Sequence, residues 1–390
     1  MKDFRLFIPT EIAFGASAED ETGALAAKYG RRALLVYGMK SAEKSGVLKR
    51  VTDSLKKAGV DFKLFGGAQP NPTLAHAEQG AQEAIEFGAD LIIGIGGGSA
   101  IDTAKAIAHG AANEGISLWD IWTKKVPLER SLPVGAVLTV PAAGSEMSDS
   151  AVITNEAIGK KAGINTDFNR PKFAAINPKL GATVPKYQLA AGIADIMMHT
   201  LERYFIPESS ARLTDEIAEG LLRTVIENGK TVLCDPNDYN AMCEIFWASS
   251  LSHNNLTECG RGKDFSVHKL GHALSAKYGF THGASLTAVW GAWAREVFGD
   301  CLPRFKRYAQ KVWGVENENA EAAAEEGIRR TVGYFAAIGM PTSLQELGID
   351  PTDDAIRALA LDATLNGSVT LSRIKPLGAK EVERIFKNAK

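Results

Sequence analysis

Between Val267 and Gly283 the chain reads VHKLGHALSAKYGFTHG, and this stretch holds three of its seven histidines, His268, His272 and His282. His268 and His272 are four residues apart, so on a helix their side chains share a face. The Tyr278-Gly279-Phe280 segment can then turn the chain so that His282 comes back toward them. Imidazoles gathered in this way usually hold a metal ion. An HxxxH spacing also arises by accident, so the stretch taken alone leaves open three unrelated histidines on a helix and a loop.

A second pair bears on that choice. Asp195 and His199 fall four apart among Ala, Ile, Met and Leu, which places both side chains on one face of an apolar helix. A carboxylate in such surroundings is costly unless paired, so it needs either the hydrogen bond of its neighbour or a cation. One carboxylate with two or three imidazoles makes a suitable divalent site, and the two clusters together favour the cation. Spacing does not decide which of His268, His272 and His282 are ligands.

A different chemistry is signalled at Gly96-Gly97-Gly98-Ser99, which follows the apolar run Leu91 to Ile95 and opens a helix from Ala100 through His109. Glycines at the carboxyl end of a buried strand let backbone approach a phosphate, and the free N–H groups of the helix start favour anions. The segment reads as a pyrophosphate cradle, although a plain strand-to-helix turn is the simpler alternative. It is neither GxGxxG nor placed after the first strand, so the expected sheet is a variant of the dinucleotide-binding fold. Asp102 within the helix and Thr139 near the end of the Leu132 to Val140 strand are expected to join Gly96, Gly97, Gly98 and Ser99 as cofactor contacts. At the end of the Arg32 to Tyr37 strand, Gly38, Lys40 and Ser41 are expected to lie at the adenosine ribose. No aspartate stands there to accept from a free 2′-hydroxyl, while a lysine and a hydroxyl suit a 2′-phosphate, so NADP(H) is expected over NAD(H).

The elements that must carry these residues change character along the chain. Up to about Thr183, β-rich runs alternate with helical ones: strands at Thr10 to Phe14, Arg32 to Tyr37, Asp61 to Phe65, Leu91 to Ile95, Leu132 to Val140, Ala151 to Asn155 and Lys172 to Ile176. That pattern predicts a parallel sheet covered by helices. Helices are expected at Val47 to Ala58 and from Thr73, as a cap, to Phe87. Pro141 to Glu146 is a loop of small residues that leaves room for a ligand. Beyond Val184-Pro185 only helical patterns remain, at Tyr187 to Tyr204, Ala211 to Leu233, Asn237 to His253, Phe265 to Ala276 and Ala284 to Val297. The expected organisation is an α/β, Rossmann-like dinucleotide-binding domain over residues 1–184 and an all-α, metal-binding catalytic domain over 185–390.

A chain of 390 residues, 45% hydrophobic and 23% charged, can bury a full core in two domains. Its net charge of −2 offers nothing to attract nucleic acid or an anionic membrane surface. The first fifteen residues lack a signal peptide's apolar core and cleavage site, and no apolar run reaches the roughly 18 residues of a membrane span. Four sparse cysteines without a CxxC pair suit reduced thiols. Together these lead to the expectation of a cytoplasmic protein.

The four motifs GGGSAIDTAK (Gly96 to Lys105), the Pro141 to Ser148 loop, PKYQLAAGIADIMMHTLE (Pro185 to Glu202) and HKLGHALSAKYGFTHG (His268 to Gly283) occur in the order seen in iron-containing (group III) alcohol dehydrogenases. The chain resembles that family over essentially its whole length, and within it looks most like the butanol dehydrogenase branch. The resemblance implies the dehydroquinate synthase-like fold of these enzymes, a homodimer, and a metal, Fe2+ or Zn2+, held by Asp195, His199, His268 and His282. His272 is then left to line the site, either as a proton relay or as an orienting group. The implied reaction is hydride transfer between a nicotinamide and a small primary alcohol or aldehyde.

Two departures from the family accompany the match: Asn177 stands where an acidic residue is common, and Met39 where NAD-preferring members place an aspartate. A polyol dehydrogenase acting on glycerol or a diol is the alternative within the resemblance. A dehydroquinate synthase-type cyclase lies further away, because it needs basic residues for a phosphorylated sugar acid and the stretches around the proposed site are mainly Ala, Gly, Leu, Phe and Trp. A non-catalytic dinucleotide-binding protein would have lost part of the ligand set, which is complete here.

Overall fold

In strand Arg32–Tyr37, Ala33 and Leu35 face one layer of helices while Leu34 and Val36 face the other, which is why the run is apolar throughout rather than alternating. The computed structural model describes residues 1–38, 40–207 and 211–390. Eight strands are present among these: β1 (Glu11–Phe14), β2 (Arg32–Tyr37), β3 (Asp61–Phe65), β4 (Leu91–Gly96), β5 (Val134–Leu138), β6 (Ser150–Asn155), β7 (Lys160–Asn165) and β8 (Phe173–Ile176). Six form a sheet in the order β1-β8-β5-β4-β2-β3 with every pairing parallel. The helix Val47–Lys57 packs its Val47, Leu48, Val51 and Leu55 on one face, and the helices Leu74–Phe87 and Gly98–Ala112 cover the other. The sheet is therefore doubly wound, and the chain reverses direction between β2 and β4.

Glycines allow the close layers. A side chain at Gly94 in β4 would run into the backbone of Ile101, and one at Gly135 in β5 would meet the Phe173 ring. Thr73 caps the Leu74–Phe87 helix, accepting from the His76 N–H at 3.4 Å. The antiparallel hairpin β6-β7 includes a strand that the sequence reading leaves out. In KKAGIN only Ile164 is buried, so the segment carries neither an apolar run nor a clean alternation. The Gly98–Ala112 helix also starts two residues earlier than the expected Ala100, directly on the glycine run.

The chain divides into two compact units, Phe7–Val184 and a second made of Met1–Leu6 with Pro185–Lys390. The second has no strand among its described residues, only helices and one isolated bridge between Leu371 and Leu377. Its helix Lys186–Tyr204 is buried at every position from Leu189 to Tyr204, which fits a helix enclosed by others on all sides. No helix among the described residues is long and apolar enough to cross a membrane.

Asn177 has a local explanation. Its side-chain amide donates to both carboxylate oxygens of Glu19, at 3.0 and 2.9 Å, and to the Ala16 carbonyl at 2.8 Å. Glu19 is 1% exposed, so an acid at 177 would set two carboxylates against each other, whereas the amide satisfies the first.

Candidate functional site

Helix Lys186–Tyr204 projects Asp195 and His199 from one face, helix Ser266–Tyr278 contributes His268, and His282 is the first residue of helix His282–Val297. Asp195 Oδ1 lies 3.5 Å from Nε2 of His199, 3.7 Å from Nε2 of His268 and 3.8 Å from Nε2 of His282. A hydrogen bond would draw such atoms to about 2.7–3.2 Å. Four donors arranged tetrahedrally at about 2.0–2.1 Å from a shared cation would instead stand roughly 3.4 Å apart. The observed separations match the second pattern. Ligand atoms of Asp195, His268 and His282 all fall within 4.8 Å of one another, and His199 joins them through Asp195. His272 is not in that group, and its ring centroid lies 6.1 Å from that of His268 and 5.2 Å from that of His282.

Electrostatics agree with a cation. Burial, reinforced by His253, His268 and Arg203, holds His199 well below the ordinary histidine range, so its nitrogen lone pair is available. Burial also pushes His268 down, but the carboxylates of Glu202 and Asp195 outweigh it and lift the group to about 9, which marks a place that favours positive charge. His268 Nε2 is buried and has no hydrogen-bond partner, although its other ring nitrogen is bound. A neutral buried core histidine would not leave that atom unsatisfied. The residues present thus fit a divalent metal.

The backbone around the cluster is shaped for it. Phe265, which precedes the His268 helix, has φ 64°, a costly region for a bulky side chain and one that recurs at functional sites. Its ring lies 4.8 Å from that of His268 and 5.7 Å from that of His199, with the Arg203 guanidinium 4.8 Å away. Two further residues escaped the sequence reading. His253 stacks on His199 at 4.0 Å between centroids, and nothing in its SLSHNN context marks it. Glu202 bonds His268, and here a signal existed, since it lies three residues beyond His199 on the same helix.

In the α/β unit the predicted cofactor residues converge at the carboxyl edge of the sheet. Tyr37 pairs with Ile95 and Gly96 with Leu138, so Gly38, Gly96 and Thr139 emerge from three adjacent strands. Thr139 N–H donates to the Gly96 carbonyl at 2.9 Å. Lys40 and Ser41 follow Gly38 and are exposed, Ser41 opening a short helix. This is where the winding of the sheet reverses, the place at which open α/β sheets take their ligands. Gly97 is the N-cap of the Gly98–Ala112 helix, whose first N–H groups have no intrahelical acceptor. A side chain at Gly97 would press on Val140 at 3.2 Å, and Gly96 has φ 154°, so glycines are needed for the backbone to take this path. The cradle fits a phosphate.

Asp102 is held by two bonds within the α/β unit. One carboxylate oxygen accepts from the Ser145 hydroxyl and the other from the Val152 N–H at 2.9 Å. Lys105, fully buried, donates to Ser145 Oγ at 2.9 Å and to the Ser150 carbonyl at 2.7 Å. These bonds fasten the Pro141 to Ser148 loop to the cradle helix. Met39 lies outside the described residues.

Comparison with known proteins covers both units. Residues 9–178 match the family described as iron-containing alcohol dehydrogenase, and residues 189–390 match its C-terminal domain. The chain is 38% identical to the NADH-dependent butanol dehydrogenase A of Clostridium acetobutylicum, with 100% of each chain covered. It is 33% identical to the NADPH-dependent aldehyde reductase YqhD of Escherichia coli, again over 100% of both. The crystal structure of an NADH-dependent butanol dehydrogenase A from Thermotoga maritima superposes with a TM-score of 0.95 at 34% identity, covering 100% of this chain and 99% of that one. With both domains matched and full-length relatives above 30% identity, the chain belongs to the iron-containing alcohol dehydrogenase family, in its butanol dehydrogenase-like branch.

Proposed function

We propose that this oxidoreductase interconverts small aldehydes and primary alcohols with a nicotinamide cofactor, at a divalent metal held by Asp195, His199, His268 and His282. The convergence of three imidazole nitrogens on one oxygen of Asp195 carries the reading. A divalent cation bound there supplies Lewis acidity toward the carbonyl oxygen of the substrate. The chain's own part is to hold that donor set in place on three helices, and to bind the dinucleotide through the Gly96–Ser99 cradle. Reduction adds a hydride to the carbonyl carbon and a proton to its oxygen. We assign the proton to His272, the imidazole beside the ligand set.

Iron(II) and zinc both accept this donor set. The relatives named above include two described as NADH-dependent and one as NADPH-dependent, so cofactor choice falls to Gly38, Lys40 and Ser41, which favour NADP(H). The butanol dehydrogenase and aldehyde reductase relatives support a small alcohol or aldehyde over a polyol or the phosphorylated acid of a cyclase. A homodimer is carried by family resemblance, and the free thiols Cys234, Cys243, Cys259 and Cys301 suit the cytoplasm. Metal analysis of anaerobically purified protein, coupled to an aldehyde panel run with NADH and NADPH, tests the whole proposal. Turnover independent of any bound metal would overturn it.

A further inference from the structure

Glu202 sits on the helix that carries Asp195 and His199, one turn beyond His199, and is completely buried. An unpaired carboxylate there would be prohibitive, and this one is saturated. Its Oε1 accepts from the backbone N–H of Val267 at 2.6 Å and of His268 at 3.2 Å, at the amino end of the Ser266–Tyr278 helix. Its Oε2 accepts from Nδ1 of His268. The Glu202 carbonyl in turn accepts from the Asp264 N–H at 2.9 Å, so the helix start is tied to Glu202 at three further points.

A carboxylate can only accept, so Nδ1 of His268 must carry the ring hydrogen. In the neutral ring Nε2 is then the nitrogen with the lone pair, and it is the atom that faces Asp195 Oδ1 at 3.7 Å without a hydrogen-bond partner. Because one carboxylate grips both the backbone of His268 and its ring, the ring cannot rotate independently of the helix.

We propose that Glu202 is a positioning residue that fixes the tautomer and ring orientation of His268 as a metal donor. Buried carboxylates behind ligating histidines commonly serve in this way. The inference rests on the metal reading of the Asp195 cluster. A helix cap alone would need only the two backbone bonds; the third, to Nδ1, is what the metal role adds.

Glu202→Gln keeps the volume but has a single acceptor oxygen for three donors. With that oxygen on the backbone N–H groups, its amide nitrogen faces Nδ1 and drives the hydrogen to Nε2, the tautomer that cannot ligate. The test is a Co2+ titration of the metal-stripped full-length chain, followed by the visible absorption of the bound ion, for the parent, Glu202→Gln, Glu202→Asp and His268→Ala. Circular dichroism reports folding of each metal-free chain. We expect His268→Ala to lose the signal, Glu202→Gln to bind about 10–100-fold more weakly with an altered spectrum, and Glu202→Asp to fall between Gln and the parent because it restores acceptor-only chemistry at shorter reach. A folded Glu202→Gln that binds Co2+ as tightly and with the same spectrum as the parent, while His268→Ala does not, overturns the proposal. If Glu202→Gln fails to fold, parent-like binding and spectrum in Glu202→Asp overturn it. Parent-like binding by His268→Ala would instead refute the metal assignment itself.

Discussion

Gly283 faces the backbone of Ala191 so closely that a side chain at 283 would overlap the Ala191 carbonyl. Ala191 lies one turn before Asp195 on the Lys186–Tyr204 helix, and Gly283 follows His282, so this contact seats the start of the His282–Val297 helix where His282 Nε2 reaches to 3.8 Å from Asp195. Gly283→Ala must push the two helices apart. We expect a loss of about 1–3 kcal/mol of stability, as for other overpacked cores, with a fall in bound metal. Denaturant melts and metal stoichiometry on the same preparation measure both, and an unaltered metal content would show that His282 is not held by this contact.

Separate outcomes are expected for the ligands and their neighbour. Asp195→Ala or His268→Ala should abolish bound metal and turnover while dinucleotide binding to the α/β unit persists. His272→Ala, outside the close set, should keep its metal and lose rate on the order of 10²-fold if it moves the proton. Elemental analysis beside steady-state kinetics distinguishes them; a loss of metal in His272→Ala equal to that in His268→Ala would make His272 a ligand.

His109 supplies a pH dependence remote from the chemistry. Its Nε2 meets Asn169 Oδ1 and its Nδ1 meets Ser131 Oγ, both at 2.8 Å. Asn169 Nδ2 donates to the carbonyls of Asp149 and Ile164, so Oδ1 must accept, Nε2 carries the hydrogen, and Nδ1 accepts from Ser131 in the neutral ring. Burial lowers this group from 6.5 to about 4. Between those values the unfolded chain binds a proton that the folded chain refuses, so stability falls as pH drops from 6.5 to about 4 and is insensitive to this group above 6.5. The loss amounts to about 3 kcal/mol at most. Chemical denaturation across that range should show His109→Gln with a shallower slope than the parent, and equal slopes would contradict the assignment.

The legible parts of this chain were those where burial leaves a pattern. β2 and β4 are buried on both faces and read as continuous apolar runs, and the Asp195 to His199 pair stood out because a charge on an apolar helix is costly. β7 was not legible because a hairpin with one buried residue imposes no period. His253 could not be found because it reaches His199 by stacking, and stacking partners have no fixed sequence offset. The bonds of the Asp102 carboxylate to Ser145 and Val152, residues more than forty positions away, could not be read from its place after the glycines. Long-range hydrogen bonds of that kind decide a polar residue's role and leave no local trace.

Cofactor choice can be settled at the end of β2. Gly38 leaves the strand beside Gly96 of β4, and a side chain there would stand 3.7 Å from the Ala68 carbonyl and 3.9 Å from Ser41 Oγ, so the hydroxyl of Ser41 is close to the turn. Lys40 is exposed beside it and supplies a positive charge that a 2′-phosphate would engage and a 2′-hydroxyl would not. A charge-assisted contact is worth about 1.5–3 kcal/mol. Lys40→Ala should therefore lower kcat/KM for NADPH by about tenfold or more while leaving that for NADH nearly unchanged, because the interaction exists only with the phosphate. Met39→Asp should move the ratio the same way by a different cause, since an aspartate accepts from a free 2′-hydroxyl and repels the phosphate. Both variants are to be compared with the parent in one aldehyde reduction, at fixed ionic strength because exposed charges are screened. A parent that uses NADH as well as or better than NADPH would reverse the preference argued from these residues, and Lys40 would then be an ordinary solvated side chain.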